Sequence, residues 1–342
     1  MAKQSSQGKA FEYACLNALY HHLSRHQSVT ILSSKALENA VNAYYSIDDG
    51  LRSEMDMGAY AAVRVICKLE PRLLQGAEGD LLELSIVEDT SGAAGDVRDI
   101  LARRHALDWE IGISAKHNHD AVKHSRLSNT IDFGESWFGT PCSNNYFDEI
   151  RPIFEELERL RSRNIKWSQL ENKAERFYYP ILLAFMREMH RLYQQHGSRI
   201  PQELLRYLIG RYDFYKVIAN TKNRVTKIQA FSFLGTLNLP AGNTRAIYRI
   251  PQIRLPEVIY SIDFKRGSNT TLSIVCDQGW ELSARIHNAS TMVEPSLKFD
   301  IKLTGLPPTV YSNDEPWAML FDRTEEEDEY RVAEQPREFE GH

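Results

Sequence analysis

The stretch that decides the fold reads GDVRDI over residues 95–100 and, after a turn, WEIGISAK over residues 109–116. Each part holds a short apolar run, which predicts a β-hairpin or two neighbouring strands. Alternate side chains of a strand share a face, so Ser114 and Lys116 point the same way. Asp99 opens the first strand. An acid and a lysine can therefore converge at one place on the predicted sheet.

This pair of residues suits the hydrolysis of a phosphodiester. A carboxylate such as Asp99 holds a hard divalent cation such as Mg²⁺, and the cation neutralises charge on the phosphorus and polarises water. Lys116 orients the attacking water and stabilises the developing anion. The pattern resembles the PD-(D/E)xK nuclease signature, with Asp99 as the first acid and Ser114-Ala115-Lys116 in the place of the (D/E)xK triplet.

The departure from that signature is Ser114, which stands where the signature has a second acid. Glu110 shares the face of Ser114 but lies roughly 13 Å away along an extended strand, so it does not fill the same position. Two other acids remain as the second metal ligand: Asp96, three residues before Asp99, and Glu12 on the first predicted helix. The predicted catalytic residues are Asp99, Lys116, Ser114 and Asp96, and the predicted metal ligands are Asp99 with Asp96 or Glu12.

Two basic segments are candidates for contact with nucleic acid. The first follows Lys116 and contains His119, Lys123, His124 and Arg126, which predicts contacts to a phosphate backbone. Its residues 119–128 suit a helix. The second is WELSARIHNAST over residues 280–291, where Arg285, His287 and Asn288 are placed to reach base edges.

The predicted fold class is α/β (α+β), with a restriction-endonuclease-like core, a helical middle region and a β-rich C-terminal lobe. Residues 1–150 are predicted as the nuclease core and residues 151–224 as the helical region, with helices over 148–163 and 175–219, the second stretch being broken at Pro180 and Gly210. Apolar residues then recur with a period of two, which predicts an antiparallel β-rich recognition lobe over residues 225–311. Residues 312–342 are predicted as an acidic, mobile tail.

The charge of the chain is unevenly distributed. The net charge is −5 over 342 residues. Nine acidic residues and three arginines between Asp322 and Glu340 give that segment a charge of −6, so the preceding residues carry about +1. This excludes a uniformly basic nucleic-acid binder but not one with a local basic surface.

Composition also limits the class of protein. No apolar stretch approaches the roughly 18 residues of a membrane helix, and no apolar signal core follows Met1. The four cysteines are far apart, which predicts buried free thiols rather than a zinc site or disulfides. We therefore expect a cytoplasmic protein with no membrane partner.

Several blocks of the sequence resemble the HaeIII-type restriction endonucleases. They keep their order over about residues 8–310. The blocks are GKAFEYA (8–14), GDVRD (95–99), residues 109–119, AVKHSRLS (121–128), IDFG (131–134), DFYK (213–216), RIHNAST (285–291) and SLKFDI (296–301).

The resemblance implies a type II restriction endonuclease with a PD-(D/E)xK-like core that needs Mg²⁺ and cuts both strands of double-stranded DNA, leaving 5′-phosphate ends. The leading expectation for its site is GGCC, cut in the middle to blunt ends. A palindromic site favours a homodimer, and a cognate cytosine methyltransferase is the expected genetic partner.

Two alternatives remain open at the level of sequence. One is a structure-specific or repair nuclease on the same core, which would turn a plasmid into a smear rather than discrete fragments. The other is a catalytically inactive DNA-binding module, which Ser114 in the place of an acid makes conceivable. The sequence leaves the exact recognition site, the cut position and the oligomeric state open, as well as the choice between Asp96 and Glu12.

Overall fold

Helices and two β-sheets build the chain in alternating layers. The computed structural model describes residues 2–76, 79–88, 96–118 and 123–317. In this part of the chain, one sheet has seven strands and the other has five. The predicted α/β class is therefore confirmed.

The elements follow one another along the chain as listed here. The helices are α1 (Ala2–Leu23), α2 (Lys35–Ser46), α3 (Asp49–Leu69), α4 (Pro71–Leu74), α5 (Phe133–Phe138), α6 (Asn144–Ser162), α7 (Tyr179–His196) and α8 (Arg199–Ile209). The strands are β1 (Val29–Ile31), β2 (Leu82–Ile86), β3 (Ile100–Arg104), β4 (Trp109–His117), β5 (Lys123–Leu127), β6 (Phe214–Asn220), β7 (Val225–Phe231), β8 (Ile259–Phe264), β9 (Thr271–Cys276), β10 (Glu281–His287), β11 (Leu297–Gly305) and β12 (Tyr311–Pro316).

The seven-stranded sheet has the order β1-β2-β3-β4-β6-β7-β12. Strands β3 and β4 form the predicted antiparallel pair, with Leu101 opposite Gly112. The apolar residues Ile111, Ile113 and Ala115 of β4 pack into one core with helices α1 to α4. Because side chains alternate along a strand, Gly112 and the predicted site residues that follow it lie on the other face.

A second core fills the space between the two sheets. Helices α5 to α8 pack there against the inner face of the five-stranded sheet, whose order is β5-β11-β10-β9-β8. The predicted alternation holds in β10, where Leu282, Ala284 and Ile286 are buried. Phe214 and Phe231 of the seven-stranded sheet stack on each other and join this second core.

Two predictions of helix are wrong. Residues 123–127 form β5, which pairs with β11 about 170 positions later in the chain. The local sequence therefore gives no signal for this strand. Residues 119–122 lie outside the described residues. The helix predicted through residue 219 ends before β6, a strand parallel to β4 and buried over most of its length. Continuously apolar strands lack the alternation that distinguishes a strand from a helix.

The division of the chain at residues 150, 224 and 311 remains a prediction. Strand β5 comes from the segment predicted as nuclease core but joins the five-stranded sheet, whereas β7 and β12 join the seven-stranded sheet. The sheets therefore exchange strands across the predicted limits.

The four cysteines are buried free thiols, as predicted. None of the helices within the described residues has both the length and the apolar character needed to cross a bilayer. The acidic residues 318–342 lie outside the described part of the chain.

Candidate active site

Asp99 is the centre of the site. It directly precedes β3, and its backbone N–H donates to the carbonyl of Ile113 on β4 over 2.8 Å. Its Oδ2 accepts hydrogen bonds from the backbone N–H of Ala115 at 2.7 Å, from Ser114 Oγ at 3.2 Å and from Lys116 Nζ at 3.0 Å. The acid and the lysine predicted to converge are therefore in contact, and Ser114 holds the carboxylate rather than adding a second charge.

The strand is anchored immediately beyond Lys116. Asn118 adopts the left-handed conformation with φ 57°, and its N–H donates to Ala219 at the end of β6 over 2.9 Å. The Asn118 side-chain oxygen accepts from both the N–H and the hydroxyl of Thr221, at 2.9 and 2.8 Å. These bonds tie the end of β4 to β6 and restrict where Lys116 can lie.

Glu12 reaches the same site from α1. Its side chain is buried, and Lys9 Nζ lies 3.0 Å from its Oε2. Burial and then the negative charge of Asp99 raise the pKa of Glu12 to about 7, while Lys9 and Lys116 act in the opposite direction. Glu12 and Asp99 are thus two carboxylates in electrostatic contact.

Asp96 is engaged elsewhere. Arg98 binds both oxygens of Asp96, with Nε at 2.8 Å from Oδ1 and a terminal nitrogen at 2.7 Å from Oδ2. The same guanidinium reaches Glu110 at 2.5 Å and lies over the ring of Tyr212, 4.0 Å from its centroid. This placement favours Glu12 over Asp96 as the acid that accompanies Asp99.

The residues present fit a magnesium ion. Among the described residues, no group of three or more histidine, cysteine or acidic side chains forms a complete metal cage. Mg²⁺ does not require one, since it is held by one or two carboxylates together with water and substrate phosphate. A cation between Asp99 and Glu12 would also offset the repulsion that raises the pKa of Glu12.

The two basic segments meet on the five-stranded sheet. In the strand register, Arg285 of β10 lies opposite Asp300 of β11, and His124 of β5 lies opposite the same residue on the other side. Arg126 and His287 both flank Lys298 in the next row. Segments that are remote in sequence therefore contribute to one sheet. His119 and the side chains of Lys123 and His124 lie outside the described residues.

The described members of this group differ in how they are held. Arg285 is exposed. Arg126 binds Glu294 at 2.7 Å. His287 Nε2 lies 2.7 Å from Asp300 Oδ2. Asn288 donates to the carbonyl of Ser290 and accepts from the hydroxyl of Tyr178, so much of its hydrogen-bonding capacity serves its turn.

Comparison with known proteins identifies the family of the chain. The family model for the HaeIII restriction endonuclease matches residues 8–307. The chain belongs to the HaeIII restriction endonuclease family. The type II restriction enzyme HaeIII of Haemophilus aegyptius is 43% identical over 315 residues, which cover 92% of this chain and 98% of that enzyme. No solved structure matches.

Membership of the HaeIII family confirms the resemblance found in the sequence and the class of enzyme, a type II restriction endonuclease. The structure adds polar residues that the sequence reasoning did not select. Lys298, Asp300 and Lys302 alternate along β11 and pair with the row of β10 that carries Arg285. The period of two over residues 297–303 was the available signal, because it assigns these three residues to the polar face. A fourth polar residue, Lys216 on β6, was not selected because a helix was predicted over this segment.

Proposed function

We propose that this member of the HaeIII family is a Mg²⁺-dependent endonuclease that cuts both strands of double-stranded DNA within a short palindrome. The leading site is GGCC, cut in the middle to give blunt ends with 5′-phosphates. The observation that carries the proposal is the 3.0 Å contact between Lys116 Nζ and Asp99 Oδ2 beside the buried Glu12.

Asp99 and Glu12 would hold the metal, with a backbone carbonyl near Ser114 as a neutral ligand. Mg²⁺, when bound, supplies positive charge to the phosphate and favours ionisation of a water molecule. Ser114 donates to Asp99 Oδ2 and keeps that carboxylate oriented. Asp96 would act only indirectly. It forms an ion pair with Arg98, which lies on the chain segment that leads into Asp99.

Lys116 positions the attacking water. The water oxygen forms a bond to phosphorus in line with the P–O3′ bond, which breaks. The water loses a proton, and the departing 3′ oxygen gains one to become a hydroxyl. The ammonium group stabilises the negative charge that builds on the phosphate during this displacement. The products are a 5′-phosphate and a 3′-hydroxyl.

Recognition is assigned to the polar face of the five-stranded sheet. Arg285 is suited to bind guanine O6 and N7 in the major groove, and His287 and Asn288 contact bases or phosphates beside it. The basic residues of the other segment would bind phosphates and set the position of the duplex. These are His119, Lys123, His124 and Arg126.

A palindromic site leads us to propose a two-fold homodimer in which each subunit cuts one strand. The enzyme would act in the cytoplasm beside a cognate cytosine methyltransferase that protects the host's own sites.

The test is digestion of a sequenced plasmid in Mg²⁺, followed by mapping of the fragment ends, for the wild type and Lys116→Ala. We expect discrete wild-type fragments with 5′-phosphate ends and a variant that cuts at least about 100-fold more slowly. A smear would instead support a nuclease without a defined site. Specific binding with no cleavage would support an inactive DNA-binding module. A Lys116→Ala variant as fast as the wild type would refute the assignment of the active site.

A further inference from the structure

A cationic cleft of about 370 Å³ lies on the helix-covered side of the seven-stranded sheet. It is formed by the end of α1, the second half of α3, α4 and the loop that contains Arg245. Three cations line it, Arg64 and Lys68 of α3 and Arg245 of the loop, and its lining includes no acid among the described residues. The cleft is therefore a site for a negatively charged group.

Two of the three cations lack a counter-ion. Lys68 and Arg245 are exposed, and neither forms an ion pair or hydrogen bond with the described part of the chain. The apolar side chains of Leu74 and Ile247 line the same cleft and are 36% and 70% exposed. An acidic segment that also carries apolar residues would match both kinds of surface.

The acidic segment of this chain, residues 318–342, has that composition. It begins with Ala-Met-Leu-Phe at residues 318–321, and five acidic residues follow in succession at residues 325–329. Its nine acids and three arginines give it a charge of −6. The segment thus complements the cleft in charge and in apolar character.

The chain enters the acidic segment beside the cleft. A terminal nitrogen of Arg64 lies 2.9 Å from Glu315 Oε1 and 3.4 Å from the carbonyl oxygen of Pro316. Trp317, the next residue, donates its indole N–H to Thr226 of β7 over 2.8 Å. One cation of the cleft therefore already binds an acid that directly precedes the segment.

The acids of the segment can reach the other two cations. Residue 325 is eight positions after Trp317, and an extended chain of that length spans up to about 28 Å. Lys68 is one turn beyond Arg64 on α3, about 6 Å along the helix axis. The tether is therefore long enough for the segment to fold back over the cleft.

The cleft is separate from the active site. His22 lines it at the end of α1, and Glu12 lies ten positions earlier on the same helix. At about 1.5 Å per residue, roughly 15 Å of helix separates them. A segment bound in the cleft leaves the surroundings of Asp99 open to DNA.

We propose that the acidic segment binds in the cleft of its own chain, with the carboxylates of residues 325–329 against Lys68 and Arg245. Exposed ion pairs are individually weak, at roughly 0–1 kcal/mol each. The tether at Trp317 compensates, because it holds the acids at an effective concentration on the order of millimolar. Bound there, the negative charge of the segment stays away from Asp99, where it would repel DNA phosphates.

The experiment is disulfide cross-linking in the full chain. Thr324→Cys places a thiol just before the five acids, and Thr244→Cys places one in the cleft. The matched control pair is Thr324→Cys with Thr304→Cys, an exposed threonine of β11 on the five-stranded sheet. Oxidised glutathione is the oxidant, and non-reducing gels separate a closed loop within one chain from a linked dimer. Thr324→Cys alone reports any reaction with the four buried native cysteines.

We expect the cleft pair to close within one chain at least about tenfold faster than the control pair, since a disulfide requires Cα atoms within about 7 Å. About 1 M salt, where the Debye length is about 3 Å, should remove most of this advantage. Equal rates for the two pairs overturn the proposal. A linked dimer as the main product also overturns it, because the cleft then binds the acidic segment of a second copy.

Charge variants test the contacts themselves. Lys68→Gln with Arg245→Gln, added to the cleft pair, should lower its rate to that of the control pair. Lys35→Gln with Arg163→Gln, which removes two exposed cations that also lack a counter-ion, should leave the rate unchanged. Thermal melting verifies that each variant folds. A rate that survives the loss of both cleft cations overturns the proposal.

Discussion

Asp99 is oriented before any substrate arrives, because three donors from one strand converge on its Oδ2. The hydrogen bond from Ser114 helps to orient the Asp99 carboxylate, but Ser114 does not supply the negative charge of the acid that the signature has at this position. The second charge then has to come from another element. Glu12, with its raised pKa and its position beside Asp99, is the residue suited to supply it.

A pair of amide substitutions tests this division of roles. Glu12→Gln removes a charge from the site and should weaken Mn²⁺ binding at least about tenfold. Asp96→Asn, the matched control, should leave Mn²⁺ affinity within about twofold, because Asp96 is held by Arg98. Mn²⁺ is titrated by electron paramagnetic resonance with duplex present. A larger loss for Asp96→Asn would reverse the assignment.

The pairing of Asp99 with Lys116 could be predicted from the sequence, since strand alternation places both residues at one end of a hairpin. Whether Asp96 or Glu12 accompanies Asp99 could not be predicted from the sequence. Asp96 is nearer in sequence, but Arg98 engages it, and no periodicity reveals such an ion pair. Glu12 approaches only because α1 packs on β4, which is a tertiary fact.

Arg285 and Arg126 should differ in what they contribute to DNA binding. Arg285→Ala should lower discrimination between the true site and a one-base variant by about 1–3 kcal/mol. Arg126→Ala should weaken binding to both duplexes alike and reduce the salt dependence by about one phosphate contact. The measurement is the ratio of kcat/KM on the two duplexes and the slope of affinity against salt. Unchanged discrimination would remove Arg285 from the reading face.

At the level of elements, β4 requires a glycine at position 112, because the side chain of Arg98 packs against that position. A Cβ at Gly112 would lie 2.0 Å from Cδ of Arg98, which crosses the strand there to reach Glu110. The hairpin of β3 and β4 was predictable from its apolar runs. The arginine packed across it was not, since an arginine in sequence is expected to face solvent.

Gly112→Ala should therefore destabilise the fold by about 1–3 kcal/mol through overpacking. Gly8→Ala is the matched control, because nothing lies within 4 Å of a Cβ at that position in α1. A helical alanine in place of glycine should stabilise by roughly 0.5–1 kcal/mol. Urea unfolding of both variants tests the opposite signs, and a neutral Gly112→Ala would show that Arg98 moves away without cost.

The junction of α3 and α4 makes stability depend on pH. Glu70 is fully buried, and its Oε1 accepts from the hydroxyl of Tyr215 and the N–H of Asn238, both at 2.6 Å. Burial raises the pKa of Glu70 from 4.5 to about 7. The folded state therefore holds a proton that the unfolded state releases above about pH 4.5, and the associated stability is lost as pH rises through about 7.

Glu70→Gln keeps the accepting oxygen but cannot ionise. Its free energy of unfolding relative to the wild type should rise between pH 5 and pH 8, by at most about 3 kcal/mol. Urea unfolding at both pH values measures the difference. A gap that stays constant, or that narrows at pH 8, would show that Glu70 is ionised in the folded protein at both.

Across the whole molecule, the seven-stranded sheet that carries Lys116 and the five-stranded sheet that carries Arg285 are separate layers, and the chain passes between them several times. This arrangement was not evident in the sequence. The composition indicated only a near-neutral body and an acidic end, and the strands of the two sheets are interleaved along the chain. The pairing of β5 with β11 is what unites the two basic segments.

The short connection from β4 to β5 limits the distance between the ends of these two strands. Five residues lie between His117, the last of β4, and Lys123, the first of β5, and a fully extended chain over these six Cα-to-Cα steps reaches at most about 22 Å. One turn of the double helix is about 34 Å long. Under the proposed assignment, the phosphates bound along β5 lie within a turn of the phosphate cut at Asp99, so we expect a cut close to the bound sequence rather than at a remote, shifted position. Mapped ends lying farther than one turn from the recognised bases would contradict this limit.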